Sequence, residues 1–270
     1  MKRLGSVGLM LGVLALGPVG CTDEKAEAAK THRIKGTDHL SKKEFKEAAA
    51  EYALSLQADP KQEKVWEKKA FAHLQAGQMK EAEEAVLKIM EMKTTPAEKA
   101  EQYRTLASMH MQAGTTDDAE KNFNEALKIE PKDETSLGWI AEIYAQRGGA
   151  RSMTAPIVKA DLEKSLSYYD QVIAINPNSA PTYLNKRVVM GRLMEYERQQ
   201  KEMALSEATE NAKDKTIVDE ANARAAEHQK RMDEYQAQFA EMTKKFSEAQ
   251  KAAKAGGAAP AQPAQATNKP

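Results

Sequence analysis

Histidine is the commonest protein metal ligand, and three of the five in this chain recur in register: His39, His73 and His110 stand 34 and 37 residues apart. Their spacing argues against a shared ion. Copies on neighbouring helical hairpins are separated by about 10 Å, one helix diameter, whereas zinc needs nitrogens at about 2.0 Å. The acidic pairs Glu83-Glu84 and Asp117-Asp118 fall on helix surfaces or first turns, where carboxylates complement the helix dipole. No phosphate-binding loop follows a strand-like run, and neither a metalloprotease helix motif nor a nucleophile elbow is present. Gly5, Gly8 and Gly12 lie in an apolar leader and carry no nucleotide meaning. The sequence therefore offers no catalytic residue, no metal ligand set and no cofactor-binding residue, and it reads as a non-enzyme.

The elements that would carry these side chains are helices. Ala48, Ala82 and Ala119 repeat the same 34- and 37-residue intervals, a period that marks stacked helical hairpins, none of which buries its apolar face alone. In one unit, residues 45, 48, 49, 52, 53 and 56 form a helical stripe that ends at Asp59-Pro60, since proline lacks the amide donor a helix needs. Thr116, Ala119, Phe123, Ala126 and Pro131 repeat it. An earlier helix in each pair is marked by Gly36, by Trp66 with Ala70, and by Tyr103 with Leu106 and Ala107, and Gly77 and Gly114 supply the turns within pairs.

At these residues the chain resembles the tetratricopeptide repeat family. The resemblance covers about half the chain and is specific for fold rather than for function. It implies an all-α, right-handed solenoid of about four helix pairs over 29–180, with repeats at 29–62, 63–96, 100–133 and 134–178. The fourth carries Leu137, Ile140, Ala141 and Tyr144, then Leu162, Tyr169, Val172 and Asn176-Pro177. An insertion near 148–159 splits it, and Ser165 replaces the usual alanine. A further first helix begins near Tyr183 without a family-like second one. The three histidines take the place of a packing tyrosine of the family. By the same resemblance, first helices line a concave groove for a protein partner. Its lining maps to Lys30, Arg33, Thr37, Lys64, Glu67, Phe71, Arg104, Ser108, Gln112, Glu142 and Gln146. A terminal-carboxylate clamp found in some members is not expected, because only Arg33 is basic where Thr37, Glu101 and Thr105 depart from the pattern.

Met1-Lys2-Arg3 precedes an apolar run from Leu4 to Leu16 that is too short for a comfortable membrane span and suits a signal-peptide core. Gly17-Pro18-Val19-Gly20-Cys21 then looks like a bacterial lipoprotein signal. Residues 1–20 are expected to be removed and Cys21 to carry the lipid, with 21–28 as a tether. Ordinary secretory cleavage after Gly17, or an uncleaved anchor, are the rival readings. Cys21 is the chain's single cysteine, so no intramolecular disulfide forms. Two or three acyl chains, at about 0.8 kcal/mol per buried methylene, hold such a protein firmly on a membrane. Thr22, by resemblance to lipoproteins of diderm bacteria, favours the outer membrane, with the periplasmic face expected.

The chain balances 40 basic and 40 acidic residues; residues 1–20 contain Lys2 and Arg3 and no acid, leaving 38 against 40. With no global field and no basic stripe interleaved with aromatics, nucleic-acid binding is excluded. Beyond the repeats, 181–251 reads as long helices. Val218, Ala221, Ala225, His228, Met232, Tyr235, Phe239, Met242, Phe246 and Ala249 form a heptad seam, and Thr216 is placed to cap its helix. The seam either closes an antiparallel hairpin that caps the repeats or pairs with another chain through 216–250, including a copy of itself. Residues 252–270, rich in Ala, Pro, Gln and Gly, are expected to be disordered. The function expected is a membrane-anchored adaptor or scaffold that binds a protein partner in the bacterial envelope. Similar small repeat lipoproteins assist assembly in pili, and others serve secretion or motility complexes. The alternative is a self-associating envelope spacer.

Overall fold

The first helix of each of four pairs ends in the same hydrogen-bonded corner. The residue four positions after His39, His73, His110 and Ala145 is left-handed: Lys43 (φ 61°), Gly77 (72°), Gly114 (78°) and Gly149 (80°). One position later an amide reaches back to a carbonyl: Glu44 to His39 (3.0 Å), Gln78 to His73 (2.9 Å), Thr115 to His110 (3.0 Å) and Ala150 to Ala145 (2.8 Å). This is the pattern in which a left-handed residue ends a helix and the next amide satisfies an orphan carbonyl. Glycine takes that conformation without strain; Lys43 takes it despite its Cβ.

The computed structural model describes residues 20–152 and 154–255, and the chain divides into one unit ending at Met92 and another beginning at Lys93. The first unit holds α1 (Gly20–Ser41), α2 (Phe45–Ala58), α3 (Glu63–Gln75) and α4 (Met79–Met92). The second holds α5 (Pro96–Ala113), α6 (Thr116–Ile129), α7 (Glu134–Arg147), α8 (Lys159–Ile175), α9 (Ala180–Glu210) and α10 (Lys215–Ala255). No strand occurs among the described residues. Residues 1–19 of the signal expected over 1–20, and the part of the 252–270 tail beyond Ala255, lie outside them. Residues 21–28, expected as a tether ahead of the first helix, are instead part of α1, and 252–255 continue α10.

In the first unit, Tyr52 of α2 is fully buried with Ala48, Ala49, Leu56, Val65 and Ala72. Its ring lies where a Cβ on Gly36 would be, 2.7 Å from Cε1, which is why α1 carries glycine at that position. Ser55 is buried at no polar cost because its hydroxyl donates to the Ala29 carbonyl at 2.7 Å. Ser165 in the second unit does the same, donating to the Ala141 carbonyl at 2.8 Å, so serine replaces the repeat's small alanine without loosening the pair. Within the second unit, α5 begins at a capping box of Thr95 and Glu98 with Pro96 in its first turn. Phe123 stacks on Trp139 at 6.3 Å between centroids, and Tyr144 on Tyr168 at 5.9 Å.

The heptad seam of α10 faces its own chain. Val218, His228, Met232, Tyr235, Phe239 and Phe246 are half-buried, and Ala221, Ala225, Met242 and Ala249 are buried. They lie along the hairpin that α10 makes with α9, where Phe239, Met242, Phe246 and Ala249 join Tyr183 and Met190 in one cluster. Of the two expectations for the seam, the hairpin within the chain is the one these contacts match. His228, the polar interruption of the seam, is explained by Glu197 of α9, whose side chain is 0% exposed. Glu197 accepts from His228 Nδ1 (2.6 Å), Lys159 Nζ (2.8 Å) and Arg231 Nε (2.9 Å). Burial pushes its pKa up, but these donors outweigh burial and hold it at about 2. The start of α10 is capped by Asp214, whose Oδ1 accepts from the amides of Thr216 (3.0 Å) and Ile217 (3.3 Å). Thr216, expected as the cap, lies one residue inside the helix.

Candidate partner-binding faces on the first helices

The first helices α1, α3, α5 and α7 bury one side against their second helices, and the other side is where a partner could bind. In the first unit that side is open. Lys30, Arg33 and Thr37 on α1, and Lys64, Glu67 and Phe71 on α3, are all exposed. Phe71 retains 49% of its surface and neighbouring Ile34 58%. Lys68 Nζ lies 3.2 Å from Thr37 Oγ1, so the two stripes run side by side. Thr37 is also held from behind by Tyr52, with the hydroxyls 3.2 Å apart. Lys30 makes only a loose exposed pair with Glu27 at 3.5 Å, which contributes little to stability.

The second unit treats the equivalent positions differently. Arg104 is half-buried and donates to Glu130 at 2.6 Å, with Asp133 at 3.5 Å. Burial works against its charge, but the bond from Glu130 and the nearby carboxylates raise its pKa on balance. Glu142 receives both arms of Arg151, at 2.9 and 2.6 Å, together with the Tyr169 hydroxyl at 3.1 Å and Gln146 Nε2 at 3.2 Å. Arg104 and Glu142, expected as groove residues, are thus engaged in holding the unit together, whereas Gln146 reaches only Glu142 on its own helix. Ser108, Gln112 and Gln146 of the expected set remain exposed there. Arg151 comes from the inserted segment and also donates to Asn185 at 3.0 Å, so the insertion serves as a strap. Burial of Tyr169 and the Glu142 carboxylate beside it push that phenol's pKa well up.

The three histidines close corners. His39 Nδ1 lies 2.6 Å from Glu44 Oε2, His73 Nδ1 3.1 Å from Gln78 Oε1, and His110 Nδ1 2.8 Å from Thr115 Oγ1. In every case the partner is the residue just before the second helix, and neither the Glu44 nor the Thr115 side chain caps that helix. The histidine has recruited it. No group of three or more His, Cys, Asp or Glu side chains able to hold a metal occurs among the described residues. Of the acidic pairs, Asp117 binds Arg147 and Asp118 binds Lys121. Arg147 also holds Glu120 at 2.5 Å, and Glu120, accepting from the Tyr144 hydroxyl, raises that phenol to about 12. Sequence reasoning missed Glu197, Arg151 and Lys159, whose partners lie on other helices. A recess of about 510 Å³ between α9 and α10, lined by Gln200, Met203, Arg224 and His228 among others, is crossed by the Arg224–Glu207 ion pair at 2.7 Å.

No protein-family model matches the chain, and no curated protein sequence matches it. Solved structures do. A tetratricopeptide repeat protein from Bacteroides fragilis is 14% identical, covering 82% of this chain and 97% of its own, with a TM-score of 0.51. The MamA protein is 18% identical over 77% of this chain and 96% of its own (TM-score 0.44). PilF of Pseudomonas aeruginosa is 17% identical over 81% and 99% (TM-score 0.42). The likeness to the Bacteroides fragilis structure is one of fold, and with the recurring corners and buried small residues it shows a tetratricopeptide-like fold for the helix pairs of this chain.

Proposed function

We propose that the chain is a non-catalytic adaptor that holds a protein partner at the bacterial envelope through the first-helix face of the unit ending at Met92. One observation carries this reading: Arg33, Lys64, Glu67 and Phe71 stand exposed together on α1 and α3 with no ion-pair partner among the described residues, while the matching charges of the second unit are used internally. Repeat folds of this kind present extended surfaces to partners. The partner belongs to an envelope assembly such as a pilus, secretion or motility complex.

Anchoring through a lipidated Cys21, at the periplasmic face of the outer membrane, is part of the same proposal. No described helix is long and apolar enough to cross a membrane. Two measurements test it. Labelled palmitate should be incorporated by the natural chain and not by Cys21→Ser, and the variant should leave the membrane fraction. In intact envelopes, reversible crosslinking followed by mass spectrometry should yield a partner with the natural chain, and the Arg33→Glu/Phe71→Ala double variant should lose it while keeping its helical circular dichroism. Recovery of the same partner by that double variant would remove the face from the account.

A further inference from the structure

Charge is sorted between the two sides of the first unit, and that sorting narrows what its open face can take. The stripe of α1 and α3 contains exposed Lys30, Arg33 and Lys64 and half-buried Lys68 against two exposed acids, Glu67 and Glu27, the latter loosely paired with Lys30. Lys68 donates to a neutral hydroxyl, so its charge is not cancelled. Counted over whole helices, α1 and α3 carry seven Lys and Arg against six Asp and Glu, whereas α2 and α4 carry only Lys46, Lys80 and Lys88 against Glu47, Glu51, Glu81, Glu83, Glu84 and Glu91. Both sides expose apolar residues, Ile34 and Phe71 on the first, Leu54 and Leu87 on the second. Only the first sets them among cations.

Resting on the adaptor reading, we infer that this face takes an extended acidic peptide segment of the partner protein, with an apolar residue seated against Phe71 and Ile34. Neighbouring helix axes lie about 8–10 Å apart and an extended chain advances about 3.3 Å per residue. Carboxylates three residues apart therefore reach from Arg33 on α1 to Lys64 on α3. The intervening side chains meet the apolar pair. An anionic bilayer fits less well, because a flat sheet of phosphates would press against Glu67 in the middle of the stripe, whereas a peptide can present a neutral or basic residue there. Exposed complementary charges of this kind govern encounter rate and specificity and weaken with salt.

The test is fluorescence anisotropy with the full chain in neutral detergent micelles. The probe is a fluorescein-labelled peptide of Asp, Glu and Leu; the controls are the same peptide with Lys for its acids, and vesicles of phosphatidylcholine with phosphatidylglycerol. The acidic peptide should bind saturably and lose affinity as salt rises, and the basic peptide should not bind. Arg33→Glu with Lys64→Glu should weaken binding about tenfold or more and Phe71→Ala about three- to tenfold, with Leu54→Ala and Leu87→Ala unchanged. Circular dichroism should be the same for all. Equal binding of both peptides, no binding of the acidic one, indifference to the Arg33/Lys64 reversal, or charge-dependent binding of the vesicles alone would each overturn the assignment. If the acidic peptide fails while the partner still crosslinks to this face, the chemistry assigned to the ligand is wrong and the adaptor reading stands; loss of both removes the reading itself.

Discussion

Arg33 and Arg104 occupy equivalent places in the first helices of two repeats, yet one faces solvent and the other is tied to Glu130 and Asp133. The same contrast separates Phe71 from Glu142, which binds Arg151, Tyr169 and Gln146. The unit ending at Met92 is built on small residues against Tyr52, and its first-helix charges are left over for something else. The unit beginning at Lys93 uses those positions, an inserted strap and the buried Glu197 to fasten α7, α8, α9 and α10. A repeat position does not by itself say whether a side chain recognises a partner; what decides is whether the same unit supplies an opposite charge within reach.

Four destabilising substitutions probe that contrast, from the largest effect expected to the smallest, and a fifth, at Lys43, runs the other way. Glu197→Ala should cost about 3 kcal/mol, because it leaves Lys159 and Arg231 beside a desolvated cavity without their carboxylate; urea unfolding of the α9–α10 hairpin measures it. The pH dependence has the matching sign. Folded Glu197 sits at about 2 against an ordinary value of about 4.3, so its contribution is complete above about pH 4.3 and is lost as pH falls toward 2. Gly36→Ala should cost about 1–3 kcal/mol, since the new methyl meets the buried Tyr52 ring and the overpacking outweighs the helix propensity alanine brings. Arg104→Glu should cost about 1–2 kcal/mol, discounted because the pair with Glu130 is partly solvated. Arg33→Glu should move the midpoint by no more than about 0.5 kcal/mol. Equal effects of those two reversals would erase the distinction between the units. Lys43→Gly should stabilise the first unit by about 0.5–1 kcal/mol by relieving a left-handed lysine.

Local chemistry was legible in the sequence and distant pairing was not. Gly77 and Gly114 announce their corners because few other residues take positive φ, and the buried Ala48, Ala82 and Ala119 follow from the repeat interval alone. The split fourth pair was readable from the gap between Tyr144 and Leu162. Lys43 hides the corner that glycine marks elsewhere. That each histidine binds the residue five positions on was, in principle, within reach, since both lie across one turn. Glu197 was not, because Lys159, His228 and Arg231 reach it from 38, 31 and 34 residues away, and helical periodicity says nothing about which helices meet. For the same reason Arg104 and Glu142 read as groove residues until the helices carrying their partners were in place.

A photoreactive amino acid placed at Phe71 or at Leu87 compares two positions of nearly equal exposure, 49% and 45%, on a first and a second helix of the same unit. Irradiated in native envelopes, position 71 should give a discrete protein adduct, diminished by Arg33→Glu, and position 87 should give none. Equal adducts at both positions, or one at 87 alone, would contradict the claim that the face of α1 and α3 is where this protein meets its partner.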